Sequence, residues 1–532
     1  MKKISKFVFY MVLITSFILT GCTFSKHIPV INNNGVFAFD ISTDLDLLYT
    51  KDIQDQIHNE IEFMKNKESF SLKDPLILAN PYGTNTTGLY IYFKTSKKAS
   101  ISYKVSADGY DDFQGTLAQT DSREHEGSVI GIIPDTKNKI TLYAYDEDGS
   151  LIDSYAFEYD APSLMGSSEN LSLQVNTGTS TEKLSDGLYA MLGNRSEENN
   201  EEVDFILLYD NDGILRSEIP VKSYRSCNIL FKGNLMYFST SSSQIIGMDA
   251  TGYIQKFYDL DEYNLHHDYT FGSSNDMLVL ATKKGESTIE DQIIQIDLKS
   301  GNVTNLIDLR KLLSKYFDTL NVNEEDFDWV HVNSIRMFDT DSIIISSRET
   351  STIIKIDDIY TNPTIAYMIG SSSFWQESGY DNLVLEQIGD FSLNAGQHCV
   401  EIEKDESLSE GQYYLYFFNN NNAVISTRDY DYSQDRLYED VLNEEKNSYY
   451  ETYLVDESNR TFTLIEQIAV EYSEYVSSVQ NYEDNKIIDS GQSFTVVELD
   501  SNNEVIQTMV GNGSTWWYRV FKYDFKDFWF AG

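Results

Sequence analysis

Leu207-Leu208-Tyr209-Asp210-Asn211-Asp212-Gly213 reads as an apolar strand that runs into an acidic turn. The same arrangement returns at Ile246-Gly247-Met248-Asp249-Ala250-Thr251-Gly252, Ile294-Gln295-Ile296-Asp297 and Ile354-Lys355-Ile356-Asp357. It returns again at Tyr453-Leu454-Val455-Asp456 and Val497-Glu498-Leu499-Asp500. Another strand precedes most copies, as in Leu235-Met236-Tyr237-Phe238 or Ile343-Ile344-Ile345-Ser346. Six copies of a multi-stranded unit predict an all-β fold, a six-bladed β-propeller over residues 170–532. A second sandwich would not repeat one acidic turn in this way. The longest gap between copies holds an insertion near 427–450, rich in Tyr, Asp and Glu.

Working toward the N-terminus, residues 73–165 alternate apolar and polar, as in Leu89-Tyr90-Ile91-Tyr92-Phe93 and Ile140-Thr141-Leu142-Tyr143-Ala144-Tyr145. Period two with Asp-Gly turns predicts a small β-sandwich. Residues 23–72 read as a tether followed by an amphipathic helix over about 42–67. Residues 1–22 combine Lys2, Lys3 and Lys6, an apolar run at 7–19, and Leu19-Thr20-Gly21-Cys22. That pattern resembles a bacterial lipoprotein signal, with Cys22 lipidated after cleavage. The plainer alternative is an ordinary cleaved signal with an incidental cysteine. The first reading places the protein on the outer face of the cell membrane, held by lipid alone.

Composition narrows the function classes. Forty Lys and Arg against 84 Asp and Glu give a net charge of −44, which leaves no basic footprint for nucleic acid. The same charge disfavours electrostatic adhesion to anionic lipid. Hydrophobics at 41% and aromatics at 13% supply a sizeable core and exclude a disordered acidic tail. Cys22, Cys227 and Cys399 form no CxxC pair and no Cys/His metal spacing.

Histidine is scarce, and four of the seven fall in the propeller just upstream of blade strands. They lie in His266-His267-Asp268, Asp328-Trp329-Val330-His331-Val332-Asn333-Ser334 and Gly396-Gln397-His398-Cys399. The corresponding segment of the last blade carries hydroxyls, Ser477-Ser478. The innermost strand of each blade lines the central channel, so these positions converge at the axis. Any one of them alone reads as a satisfied core histidine; at equivalent repeat positions they read as a site. A metal is one reading of converging imidazoles, with Asp268 as a further ligand, but no HxH or HxxxH pair exists and Arg348 would repel a cation. The other is an anion site, since Arg348 and Arg519 carry guanidinium forks that match sulfate or phosphate oxygens. For Arg519 a cation–π clasp with Trp516-Trp517-Tyr518 is the competing reading.

From about Asn80 onward the chain resembles the bacterial arylsulfate sulfotransferases. The resemblance runs through Asn80-Pro81-Tyr82-Gly83, His125 and Gly131-Ile132-Ile133-Pro134-Asp135, then the His-His-Asp, Asp-Trp-x-His-x-Asn-Ser, Ser-Arg and Gly-Gln-His segments, and ends at Tyr518-Arg519. It implies a nucleotide-independent transfer of a sulfuryl group from an aryl sulfate donor to a phenolic acceptor. It makes His398 the nucleophile and places His331, Asn333 and Arg348 in the sulfate pocket. His267, in preference to His266, becomes another pocket histidine, and Ser477 or Ser478 the last-blade hydroxyl. No cofactor and no metal are implied, and family members are found as dimers. One departure is plain: periplasmic members carry a disulfide, for which this chain has no suitably placed pair.

Attack by imidazole on sulfur would expel a phenolate whose conjugate acid has a pKa near ~10, so an acid or cation at the leaving oxygen lowers the barrier. An imidazole intermediate predicts ping-pong kinetics. Two rivals keep the same fold: a non-catalytic surface propeller that binds sulfated or phenolic ligands, and an aryl sulfate hydrolase.

Overall fold

The structure, a computed structural model, describes residues 28, 30–33, 35–194, 203–222, 226–322, 325–422, 427, 430, 446–512 and 516–532. Cys22 and the whole expected signal lie outside the described residues, as does most of the expected insertion at 427–450. Among the described residues no helix is long and apolar enough to cross a membrane.

The propeller has six blades, numbered here from the N-terminal side. In blades two, three and four the strands run in chain order from the axis outward, starting at Leu230–Lys232, Tyr263–Phe271 and Val332–Met337. Blade five starts at His398–Glu403 and blade six at Ser478–Tyr482. The ring closes twice. Blade one takes its innermost strand, Arg519–Tyr523, from the far end of the chain, and blade six takes its outermost strand, Gln174–Thr177, from before blade one. A buried ion pair seals the same seam: Lys522 Nζ lies 3.0 Å from Glu498 Oε2 and donates to Ser185 O at 2.7 Å.

The acidic turns have a local cause. Asp210, Asp249, Asp297 and Asp500 each accept, on one carboxylate oxygen, two backbone N–H groups from residues two to four positions on. Asp456 accepts one, from Asn459. An aspartate at the end of a strand thus mimics a backbone turn. In the fourth copy the turn shifts by one residue, to Asp358 at φ 57°, whose carbonyl accepts from Thr361 and Asn362. Blades then pack face on face. Leu278, Ile293, Trp329, Ile335 and Ile345 fill the wedge between blades three and four. Each such aliphatic side chain stabilises by about 1.5–3 kcal/mol when taken from water.

Ahead of the propeller, the 19-residue strand Leu89–Ala107 serves both sheets of a sandwich. Its pairing shifts between Lys94 and Ala99, where it passes from one sheet to the other. His125 is a core residue here, bonded to Thr95 at 3.1 Å and pushed by burial down to about 4. The expected single helix is two, Leu45–Leu48 and Lys51–Lys67. The longer one docks on blade two, where Gln54 accepts from Ile254 N and His58 stacks on Tyr253 at 4.4 Å.

Candidate active site

The innermost strands of blades three, four, five and six touch in sequence around the axis, followed by Arg519–Tyr523 of blade one. Their starts share one backbone device. His267, His331 and Ser477 have φ of 51°, 43° and 88°, and Cys399, directly after His398, has 53°. In blades three, four and five the pairing with the second strand also slips at this point. A bulge with a left-handed residue re-aims side chains and is characteristic of functional rims. Here it turns imidazoles from three blades toward one another.

His267 and His331 have ring centroids 4.8 Å apart, and His267 stacks on Tyr518 at 5.3 Å. Tyr518 also meets His398 edge-on at 6.3 Å. Asn420 and Gly396 set the state of His398. Its Nδ1 lies 2.8 Å from Asn420 Oδ1 and 3.1 Å from Gly396 O. The Asn420 amide nitrogen is itself committed to Ser473 O and Val476 O, so its oxygen must face the imidazole. Two acceptors fix the proton on Nδ1 and leave Nε2 with the lone pair. Burial holds His398 well below the usual histidine range, and the nearby His331, Arg348 and His267 push the same way against the Asn420 bond. The ring is neutral.

His331 is the opposite case. Burial alone would lower it, yet Glu290 Oε2 at 2.8 Å and the still closer Asp328 Oδ2 outweigh burial and raise it to about 9. At neutral pH it is an imidazolium. Arg348 adds a second cation at the mouth, a third exposed, with Nη2 3.7 Å from Asp328 Oδ2. Its backbone N–H donates to His331 O at 3.0 Å.

Other predicted site residues are placed differently. Arg519 is fully buried, with Nη1 2.8 Å and Nη2 3.1 Å from the two oxygens of Asp268. The same carboxylate takes Arg336 Nη1 at 2.6 Å, Ile335 N at 3.1 Å and Asn228 Nδ2 at 3.0 Å, while Arg336 clasps Glu401 through Nε at 2.8 Å. This ionic layer ties blades one to five beneath the imidazoles, and Arg519 belongs to it instead of to an anion pocket. Asp268, weighed above as a metal ligand, is consumed there too. Asn333 is fully buried, donates to Gln397 O at 2.8 Å and so braces the loop that carries His398. Ser478 is stitched to Val520 in both directions, at 3.0 and 2.9 Å. Ser477 bonds Ser473 and Gly491 N at 2.9 and 3.0 Å. The two hydroxyls are therefore taken up in joining segments. His266 is buried, with neither ring nitrogen hydrogen-bonded, and burial depresses it to about 4. Of the predicted set, the structure gathers His267, His331, His398 and Arg348.

Two donor sets lie close enough to invite a metal: His266, His267 and Glu290, and Glu290, Asp328 and His331. The 2.8 Å from His331 Nδ1 to Glu290 suits a shared proton. Two bonds of about 2.1 Å to a tetrahedral ion would hold nitrogen and oxygen more than ~3 Å apart. Glu290 and Asn420 went unassigned in the sequence. Asn420 had a signal: like Arg348, it sits one residue past the second strand of its blade, after Gln412–Asn419 and Ile343–Ser347 respectively. Cys227 and Cys399 are buried and unbridged.

The family model described as arylsulfotransferase (ASST) matches residues 174–519. The model of the arylsulfotransferase Ig-like domain matches residues 76–162. No curated protein matches. Among solved structures, a candidate 6-phosphogluconolactonase from Bacteroides fragilis is 10% identical at a TM-score of 0.35, over 81% of this chain and 99% of its own. One from Bacteroides uniformis is 8% identical at 0.36, over 80% and 99%. A protein from Lactobacillus plantarum is 10% identical at 0.33, over 79% and 98%.

Proposed function

The chain belongs to the arylsulfotransferase family, and from that premise we propose that it moves a sulfuryl group from an aryl sulfate ester to a phenolic acceptor through a sulfohistidine at His398. No nucleotide and no metal take part. In the first half-reaction the Nε2 lone pair of His398 attacks sulfur. The S–O bond to the aryl group breaks, and its electron pair leaves on the phenolate oxygen, which takes a proton from His331. In the second, the acceptor phenol gives its proton back to His331 while its oxygen attacks sulfur. The N–S bond then breaks and its pair returns to Nε2. Arg348 and the His331 imidazolium lie against the sulfuryl oxygens, where a preorganised donor contributes up to about 3–4 kcal/mol at the transition state.

The observation that carries this reading is the contrast between two adjacent histidines. One is buried, neutral and fixed as the Nδ1–H tautomer, and the other is charged between two carboxylates. A nucleophile and an acid are thus held in different protonation states at one pH. We further propose that the protein is exported and lipid-anchored through Cys22 to the outer face of the cell membrane.

The test uses protein lacking residues 1–22 with an aryl sulfate donor. With a phenol present, transfer to it is expected; without one, mass spectrometry is expected to find one SO₃ adduct on the peptide around Gln397-His398-Cys399. Sulfate released at one rate with or without phenol would establish a hydrolase. An intact donor would establish a binding protein. An adduct on Ser477 would place the nucleophile elsewhere.

A further inference from the structure

We infer that Glu290 is a positioning residue for the transfer, one carboxylate oxygen that orients imidazoles from two neighbouring blades and keeps hydrogen on the nitrogen of each that faces it. The inference rests on the sulfuryl-transfer reading above and adds to it a residue from a loop that no recurring motif marks. Glu290 Oε2 lies 3.0 Å from His267 Nε2 and 2.8 Å from His331 Nδ1. An ionised carboxylate only accepts, so each of those nitrogens must bear hydrogen. His331 is thereby turned with Nε2 away from the carboxylates, and no described residue takes that nitrogen. His267 is held with hydrogen on Nε2.

The loop is built to hold this oxygen still. Glu290 has φ 57°, its N–H donates to Thr282 Oγ1 at 2.9 Å, and its carbonyl accepts from Val332 N at 3.4 Å. Its neighbour Asp291 is buried, accepts Thr288 Oγ1 at 2.6 Å, and accepts Trp329 Nε1 at 3.0 Å. Trp329 belongs to the segment that carries Asp328 and His331, so the loop and the histidine it serves are pinned together. The groups facing Glu290 are His267 and His266 of blade three, and His331 and Asp328 of blade four, with Arg348 beyond Asp328. Burial would raise the Glu290 carboxyl, and the three imidazoles hold it well below its usual range instead. Asp328 alone cannot do the same work, because His331 is the one imidazole among the described residues that it bonds.

The experiment pairs Glu290→Gln with Glu290→Asp in the otherwise intact protein. The amide keeps an accepting oxygen but removes the negative charge that favours the protonated form of His331. For donors whose phenol has a pKa near ~10, Glu290→Gln is expected to lower kcat/KM about 100-fold, the typical worth of a positioned acid. For nitrophenyl sulfate, whose leaving group hardly needs a proton, the loss should stay under ~10-fold. Glu290→Asp should recover part of the difference. A loss equal across donors, or none, would overturn the assignment. A second readout needs no turnover: histidine labelled with ¹³C at Cε1 should show, in wild type, one imidazole titrating at about 9. That midpoint should fall in Glu290→Gln. An unmoved midpoint would overturn the proposal even where the transfer reading stands, and a wild type without transfer would leave this arm to judge Glu290 alone.

Discussion

Two layers of charge sit on the propeller axis, a few residues apart in sequence, and they obey opposite rules. The lower one joins Asp268, Arg336, Glu401 and Arg519 in paired contacts, with Asp268 and Arg519 wholly sealed from water. The upper one holds His267, His331, Glu290, Asp328 and Arg348, where Arg348 is a third exposed and its only described ion pair spans 3.7 Å. Arg519 and Arg348 are the same residue type, both at the inner ends of blades. One has every incentive to stay, because removing a partner strands a buried charge. The other is left with donors to spare. A cation serves a substrate only when the fold has not already satisfied it.

The sharpest break between the layers should come from His398→Asn, expected to reduce transfer by at least about 10³-fold with the melting temperature unchanged. Calorimetry and initial rates on the same preparation read both. Asp268→Asn inverts that pattern. Leaving Arg336 and Arg519 without their shared carboxylate is expected to cost about 3–5 kcal/mol of stability, seen as a lowered denaturant midpoint. If the midpoint held while activity fell, Asp268 would belong to the upper layer. Arg348→Lys keeps the charge and loses the fork, so a roughly 10- to 100-fold fall in kcat/KM is expected, with stability intact.

Titration separates the layers more gently. The His331 pKa is raised by folding, so its stabilising contribution is complete below the unfolded value of ~6.5 and is lost as pH climbs to about 9. Activity should fall over the same alkaline limb, because the imidazolium is the acid. His398, depressed by burial, should add no acid limb in the neutral range. Asp268, held below its usual range against burial by Arg336 and Arg519, should keep the lower layer insensitive throughout. Ser478→Ala is the smallest test. It removes one seam between blades six and one, for about 1 kcal/mol, and should leave kcat unchanged.

The blades were legible because five of the six carry a local device with a residue signature, an aspartate whose carboxylate accepts N–H from its own turn. The clustered histidines were legible for a different reason: a rare residue recurred at one place in a repeat. Neither kind of signal distinguishes Arg348 from Arg519, since what separates them is a carboxylate some 250 positions away in blade three. The bonds of Ser477 and Ser478 to Ser473, Gly491 and Val520 are equally invisible in the sequence. Glu290 lies in an irregular loop and gains meaning only when blade four is folded against it. The resemblance to the sulfotransferases singled out His398 as the proposed nucleophile; Asn420, which fixes the His398 tautomer, had to be found in three dimensions.

The double closure of the ring also has a consequence in time. Tyr518 stacks on His267, and Arg519 completes the ionic layer under the imidazoles, yet one directly precedes and the other opens a strand made after every other blade strand. A chain emerging from its N-terminal side would carry His267, His331 and His398 long before that strand could insert into blade one. Until then Asp268 lacks one of its two guanidiniums and the floor of the pocket is open. The histidine cluster is therefore completed late and as a unit, when the last strand closes the ring.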